Sequence, residues 1–211
     1  MAKTFGSVIA FLAVILASAA LASCGEGSET ADGSDAEAGS GTEVAVGSQL
    51  FPDNFKGVCS GASVSNASHY DQDARPHKAL YFETYKDDLM DQSSTLPPDW
   101  TVLFSPDEDA LKAIDVVACA KRTAAREVKV CDGYETDDKP TQNKVRWHTA
   151  TYELSVREAT TGRELATTTI EATDSDCPMF MTFDGDSDTV DGYASLSDSA
   201  VADFLRPHIA R

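Results

Sequence analysis

Residues 151–172, TYELSVREATTGRELATTTIEA, contain the clearest β-hairpin pattern in the chain. In the first half of this stretch, the apolar residues Tyr152, Leu154 and Val156 alternate with polar ones, as expected for a half-buried strand. Thr160-Thr161-Gly162 then provides a turn in which the glycine can adopt a positive φ, and the second half is rich in β-branched residues. The stretch therefore predicts two antiparallel strands joined by a short turn.

The residues just before this hairpin show the opposite alternation. Val145, Trp147 and Thr149 occupy odd positions, whereas the apolar residues from Tyr152 onward occupy even ones. Because side chains in a regular strand alternate strictly between two faces, this change requires a β-bulge or a break. We expect the irregularity near Ala150.

Shorter patterns predict the other elements. Apolar runs predict three further strands, at 77–84, 100–104 and 114–120. The polar sequence DDKPTQ predicts a loop at 137–142. Ser105, Pro106 and Glu108 have the spacing of a capping box with proline at the first helical position, so a short helix should precede the strand at 114–120.

A second capping-box pattern, at 195–198, predicts a C-terminal helix that ends at Pro207. One face of this helix carries the apolar residues Ala200, Val201, Phe204 and Leu205. We therefore predict an α+β fold that is mostly β. It would comprise an antiparallel sheet, one short helix before a central strand and a docked C-terminal helix.

The N-terminal residues have the organisation of an export signal. Lys3 is followed by an apolar run, Val8–Ala22, that is shorter than the roughly 20 residues a membrane span needs. The sequence Leu21-Ala22-Ser23-Cys24 resembles the lipobox of bacterial lipoprotein precursors. This resemblance implies cleavage before Cys24, a diacylglyceryl thioether on its sulfur, and anchoring to a bacterial cell membrane or outer membrane by acyl chains. An uncleaved membrane helix and ordinary signal cleavage nearby are the alternatives.

The resemblance divides the chain into a signal peptide at 1–23, a tether at 24–48 and one extracytoplasmic domain at 49–211. Residues 25–48 hold only small residues, acids and a few aliphatics, so we expect them to form a disordered spacer. The whole chain has 17 basic and 35 acidic residues and a net charge of −18. From Gln49 onward the net charge is still −13, which argues against nucleic-acid binding because that requires clustered cations.

The cysteines predict a disulfide-bonded domain. If Cys24 carries lipid, four cysteines remain in an exported chain, and an even number favours two disulfides. Four cysteines allow three connectivities, of which we favour Cys119–Cys131 together with Cys59–Cys177. The reason is that the strand-like runs around Cys119 and Cys131 could turn back on each other. The spacings of the four cysteines match no structural zinc site.

One acidic loop has the spacing of a cation-binding sequence. Asp184, Asp186 and Asp188 alternate as at the start of an EF-hand loop, and Asp191 could supply a further ligand. Thr189 stands where the EF-hand needs glycine, however, and Ser195 stands where it needs a bidentate glutamate. The sequence thus allows either a Ca²⁺ site or an ordinary solvated acidic loop.

Catalytic motifs are lacking in the sequence: there is no G-x-S-x-G, no S-x-x-K and no phosphate-binding glycine loop. The four histidines, His69, His77, His148 and His208, form no zinc-binding pattern. We therefore expect a non-enzymatic, membrane-anchored binding or envelope-interaction module without a cofactor, whose partner is an envelope protein or a small ligand. The alternatives are a small hydrolase with a site built from distant Asp, His and Ser residues, and a calcium-stabilised module.

Overall fold

A six-stranded mixed sheet forms the body of the protein in the computed structural model, which describes residues 49–102, 107–183 and 188–210. The strands are β1 Ala79–Tyr85, β2 Asp88–Asp91, β3 Val116–Cys131, β4 Glu135–Thr136, β5 Lys139–Pro140, β6 Lys144–Glu158, β7 Glu164–Ala172 and β8 Thr189–Tyr193. The helices are α1 Glu108–Lys112 and α2 Asp198–Ile209, and 3₁₀ helices span Pro52–Ser60 and Ser93–Thr95. The predicted class, mostly β with a C-terminal helix and two disulfides, is confirmed.

The sheet has the order β2-β1-β3-β6-β7, and β8 also pairs with β6. Three neighbouring pairs are antiparallel, but β1 runs parallel to β3 and β8 runs parallel to β6. The sheet is therefore mixed and not purely antiparallel as predicted. A parallel pair needs a long crossover, and the connection from β1 to β3 contains β2, a 3₁₀ helix and α1.

The predicted hairpin is formed by β6 and β7. Gly162 in the connecting turn has a φ of 69°, the left-handed conformation that glycine adopts without strain. The buried carboxylate of Glu158 accepts hydrogen bonds from Thr161 Oγ1, at 2.8 Å, and from Arg163 Nη2, at 3.2 Å. These contacts close the turn and hold β6 and β7 in register.

The irregularity expected near Ala150 lies in the partner strand. The β3–β6 pairing shifts register between Arg122 and Ala124 and again between Glu127 and Lys129. The two shifts flank Ala125, the residue opposite Ala150. At the same place, the strand that pairs with the other edge of β6 changes from β8 to β7. Beyond Ala120 no described strand pairs with the outer edge of β3.

Both faces of the sheet are covered in its first half. Along β1, Ala79 and Tyr81 belong to one apolar cluster, while Leu80 and Phe82 belong to the other. The first cluster includes Val201, Leu205 and Ile209 of α2. The second includes residues of the 3₁₀ helix Pro52–Ser60 and of α1. Burial on both faces explains why β1 is a continuous apolar run.

Some predicted element ends are wrong. Helix α1 is capped by Asp107, whose side chain accepts a hydrogen bond from Ala110 N, whereas Ser105 and Pro106 lie outside the described residues. Helix α2 is capped by Ser197 and continues through Pro207 to Ile209. None of the helices in the described part of the chain is long and apolar enough to cross a membrane.

Two segments differ in type from the prediction. The segment 100–102 forms no strand, although Trp100 is buried and its carbonyl accepts a hydrogen bond from Ala79 N at 2.7 Å. Within the predicted loop at 137–142, Lys139–Pro140 pairs with Glu135–Thr136 in a small two-stranded sheet. Asp137 and Asp138, at its turn, have positive φ. The prediction missed this hairpin because its strands are only two residues long.

The four domain cysteines form two disulfides, Cys59–Cys119 and Cys131–Cys177, so the favoured pairing is wrong. The reason is that Cys119 and Cys131 belong to one continuous strand, β3, instead of to two strands that turn back on each other. At about 3.3 Å per residue, their Cα atoms lie roughly 40 Å apart along an extended chain, far beyond the reach of a disulfide.

Candidate ligand-binding pocket

A pocket of about 360 Å³ lies where β6 and β8 meet the turn between β1 and β2. We name it the Arg122 pocket. It is lined by Thr84, Tyr85, Lys86, Arg122, Trp147, Tyr152, Pro178, Phe180, Met181, Thr182, Val190, Asp191, Gly192, Tyr193 and Ser195. This volume is within the range of small-molecule sites, which are mostly apolar with a few polar groups that orient the ligand.

The floor of the pocket is built on the sheet. Trp147 and Tyr152 belong to β6, and both are buried. Trp147 Nε1 donates a hydrogen bond to the carbonyl of Asp174 at 3.0 Å, and the hydroxyl of Tyr152 donates to the carbonyl of Ala194 at 3.0 Å. These bonds fix the two aromatic rings from behind, so the floor is rigid.

One wall is an exposed apolar segment, residues 178–183, with the sequence PMFMTF. Met179 and Phe180 are 85 % and 87 % exposed, which is unusual for side chains of this size. The segment begins directly after Cys177, which is bonded to Cys131 at the end of β3, and the carbonyl of Pro178 accepts a hydrogen bond from Tyr134 Oη at 3.1 Å. The disulfide therefore holds this wall against the sheet.

Arg122 enters the pocket from β3, next to the bulge between Arg122 and Ala124. Its backbone N–H donates to Thr84 Oγ1 at 3.0 Å, which places it beside the end of β1. The guanidinium carbon lies 3.5 Å from the centre of the Tyr193 ring, a cation–π contact. Nη2 donates to the carbonyl of Lys86, whereas the buried Nη1 finds no acceptor among the described residues.

A buried polar cluster lies behind the pocket. The hydroxyl of Tyr81 donates to the buried carboxyl group of Glu83, and burial raises the pKa of Glu83 above its usual value. Burial and the charge of Glu83 also raise the pKa of Tyr152 to about 12, although Arg122 acts in the lowering direction. At neutral pH the Tyr152 hydroxyl is therefore a neutral hydrogen-bonding group at the pocket floor.

Only part of the predicted calcium loop lies within the described residues. Asp184 and Asp186 lie outside the described residues. The backbone carbonyl of Asp188 accepts a hydrogen bond from Lys144 N at 2.7 Å. Asp191 lies in β8, where it pairs with Arg146 Nη2 at 2.8 Å. Within the described ranges no three His, Cys, Asp or Glu side chains are grouped to hold a metal ion, and the calcium site stays a prediction.

A histidine–aspartate pair is buried elsewhere in the domain. His77 Nδ1 and Asp115 Oδ2 are 2.5 Å apart, Asp115 Oδ1 accepts a hydrogen bond from Lys78 N, and Tyr70 packs on the imidazole. Burial raises the pKa of Asp115, while His77 acts against this shift. His77 Nε2 is buried and makes no hydrogen bond to any described residue, so no described serine completes a catalytic triad with this pair.

The sequence prediction missed the Arg122 pocket, whose lining residues come from β1, β3, β6, β8 and the segment 178–183. The one local signal was PMFMTF, an apolar run that follows a cysteine and has no strand alternation. Cys24 lies outside the described residues. Comparisons of the chain with protein-family models, with curated proteins and with solved structures found no match.

Proposed function

We propose that this chain is a lipid-anchored extracytoplasmic binding protein whose Arg122 pocket holds a small, largely apolar ligand. The observation that carries the proposal is the pocket itself. Trp147, Tyr152 and Phe180 supply aromatic surface, and a few polar groups converge on the same space. The aromatic floor is fixed by hydrogen bonds, so little conformational entropy is lost when a ligand packs on it.

The proposed location rests on different features. The lipobox-like sequence ending at Cys24 would supply the anchor, and two acyl chains or more are sufficient for stable attachment to a bilayer. The two disulfides are consistent with an oxidising, extracytoplasmic environment. The acidic spacer at 25–48 would hold the domain away from the membrane.

Fractionation of cells that express the chain tests the anchor. We expect the parent protein in the membrane fraction, with acyl chains on the peptide that contains Cys24 in mass spectrometry, whereas a Cys24→Ala variant has no thiol to acylate and lacks the thioether-linked chains. A membrane-bound parent protein whose Cys24 carries no acyl chain would overturn the proposed anchor.

Binding to a neutral aromatic probe tests the pocket. The full chain in detergent is titrated with 2-naphthamide, with detergent alone as the blank, and the tryptophan fluorescence is followed because Trp147, one of the two tryptophans, lines the pocket. We expect saturable binding that weakens several-fold in Phe180→Ala. Met179→Ala is the matched control, since Met179 is equally exposed but does not line this pocket.

Two results would contradict the pocket proposal. One is the absence of saturable binding of any aromatic probe by the parent protein. The other is an equal loss of affinity in Phe180→Ala and Met179→Ala, which would locate binding on the exposed surface of the segment and not in the cavity.

A further inference from the structure

We infer that the ligand of the Arg122 pocket is an organic anion, an aromatic or aliphatic carboxylate whose charged group binds Arg122. This inference rests on the proposed function and adds the chemical class of the ligand. It starts from a charge imbalance: the domain from Gln49 onward has a net charge of −13, yet Arg122 forms no ion pair with any described carboxylate.

The three groups around the guanidinium are all neutral. They are the ring of Tyr193, the carbonyl of Lys86 and the phenol of Tyr152. Several other arginines in the described structure do have carboxylate partners: for example, Arg146 pairs with Asp191, and Arg157 pairs with Glu164 at 2.8 Å. A cation that lines a cavity and lacks a carboxylate partner is the arrangement that an anionic ligand completes.

Neither Asp191 nor Glu83 forms an ion pair with Arg122 in the described structure. Asp191 lines the same pocket, but its carboxylate lies 2.8 Å from Arg146 Nη2 and 3.8 Å from His148 Nε2. Glu83 lies behind the pocket, where Tyr81 donates to its carboxyl group and burial disfavours its charged form. Lys86 also lines the cavity.

The guanidinium is oriented and still has donors to offer. An arginine side chain has five N–H donors, and among the described residues the Arg122 guanidinium donates from Nη2 to the Lys86 carbonyl, while its buried Nη1 finds no acceptor. Contact with the Tyr193 ring fixes the plane of the group, so its rotamer entropy is lost before the ligand binds. The ring system of the ligand would lie on the apolar surfaces of Trp147 and Phe180.

Two probes of the same shape test the inference. 2-Naphthoate carries a carboxylate, and 2-naphthamide carries a neutral amide on the same rings. Both are titrated into the full chain in detergent by calorimetry at neutral pH, with detergent blanks. We expect the parent protein to bind 2-naphthoate at least about tenfold more tightly than 2-naphthamide, as a desolvated charge-assisted contact to arginine provides.

Variants at position 122 then test whether Arg122 causes the preference for 2-naphthoate. In Arg122→Gln the two affinities should become equal within about twofold, because the charge that distinguishes the two probes is gone, whereas Arg122→Lys should retain most of the preference because it keeps the charge. Lys86→Gln is the control for the second cation of the pocket and should reduce the preference less than Arg122→Gln. If Arg122→Gln does not fold, the assignment is made by comparing the preference for 2-naphthoate that remains in Arg122→Lys with the preference that remains in Lys86→Gln.

The outcomes separate the two proposals. If the parent binds both probes with the same affinity, the pocket stands and the anion inference is overturned. If it binds neither probe, the proposed function fails and the inference fails with it. A preference for 2-naphthoate that persists unchanged in Arg122→Gln, or that Lys86→Gln alone removes, would overturn the assignment to Arg122.

Discussion

Gly192 of β8 lies directly opposite Trp147 of β6, and the indole ring occupies the space where a side chain at position 192 would begin. A Cβ atom added to Gly192 would be 2.7 Å from Cε3 of Trp147 and 2.8 Å from Cγ1 of Val145. Real Cβ atoms essentially never come so close to other carbon atoms, so Trp147 can lie flat on β8 only because residue 192 is glycine.

Gly192→Ala should therefore destabilise the protein and disturb the floor of the pocket. Overpacking of this kind costs about 1–3 kcal/mol. An alanine at an ordinary strand position would otherwise be favourable, because glycine loses more backbone entropy on folding. Urea denaturation of the parent and the variant measures the effect.

The double variant Gly192→Ala/Trp147→Leu is the control, since leucine vacates the position of the ring. We expect the cost of Gly192→Ala to be smaller in the Trp147→Leu background than in the parent. An alanine variant as stable as the parent would show that Trp147 does not require the glycine.

The two disulfides should differ in their effect on ligand binding. Replacing Cys131 and Cys177 by alanine removes a constraint of 46 residues, with an expected stability loss of about 4 kcal/mol on the chain-entropy model. It also releases the segment 178–183 from β3, so the affinity for 2-naphthamide should fall. Replacing Cys59 and Cys119, which are 60 residues apart, should cost a similar amount of stability and leave the affinity of the folded fraction unchanged.

Denaturation curves and probe titrations of both double variants, at a temperature where both remain folded, check this prediction. An equal loss of probe affinity in the two variants would contradict the role of Cys131–Cys177 in holding the pocket wall.

Glu83 should make stability fall as the pH rises. Burial raises its pKa above the usual value of a glutamate side chain, so the folded protein binds this proton more tightly than the unfolded chain does. The resulting stabilisation is fully present below pH 4.5 and is lost as the pH rises through the higher pKa of the folded state. The side chain in Glu83→Gln stays neutral at every pH, so this variant should not lose that stabilisation as the pH rises.

Unfolding free energies of the parent and of Glu83→Gln, measured from about pH 4 to pH 8, check the sign. The variant should gain stability relative to the parent with rising pH, and Glu127→Gln, at an exposed position of β3, should show no such gain. A difference that grows as the pH falls would mean that the ionised form of Glu83 is favoured in the folded state.

The pair His77–Asp115 should stabilise the fold without a role in the pocket. His77→Ala leaves the carboxyl group of Asp115 without its imidazole partner, and breaking a buried pair in this way costs about 3–5 kcal/mol. Asp115→Asn, which keeps the shape of the side chain, should cost less. His69→Ala, at an exposed position, is the surface comparison.

Chemical denaturation measures these losses, and titration with 2-naphthamide measures the pocket. We expect the folded His77→Ala protein to bind the probe as the parent does, because neither His77 nor Asp115 lines the Arg122 pocket. Loss of binding in a folded variant would show that the pair acts on the site.

The parts of the fold that sequence reasoning predicted correctly depend on neighbouring residues. The alternation around Tyr152 and the glycine at 162 predicted the hairpin of β6 and β7, and the change of parity near Ala150 predicted an irregularity there. A capping pattern predicted α2. Each of these signals acts over only a few residues, which is the range in which a sequence pattern and local geometry are directly linked.

The parts that were missed depend on contacts between distant segments. β3 continues from Cys119 to Cys131, whereas the sequence pattern predicted two strand-like runs that turn back on each other. That single difference changes both disulfide pairs. The parallel pairing of β1 with β3 leaves no local mark, because burial of both faces replaces the alternation by an apolar run.

The candidate site was missed for a related reason. Trp147 and Tyr152 stand out in the sequence only as members of an alternating strand pattern, and both are buried, but both also line the pocket. Arg122 was unremarkable in a charged stretch, since nothing in the sequence shows that its partners are a tyrosine ring and a carbonyl group.

The outer edge of β3, which no described strand covers beyond Ala120, also bears on self-association. A long, flat edge can recruit a strand from a second molecule and seed aggregates. The register shifts at Arg122/Ala124 and Glu127/Lys129 and the charged side chains of Arg126 and Lys129 are features that disfavour such pairing. The bulge beside Arg122 therefore marks a stretch of β3 that is poorly suited to join the edge of a neighbouring copy.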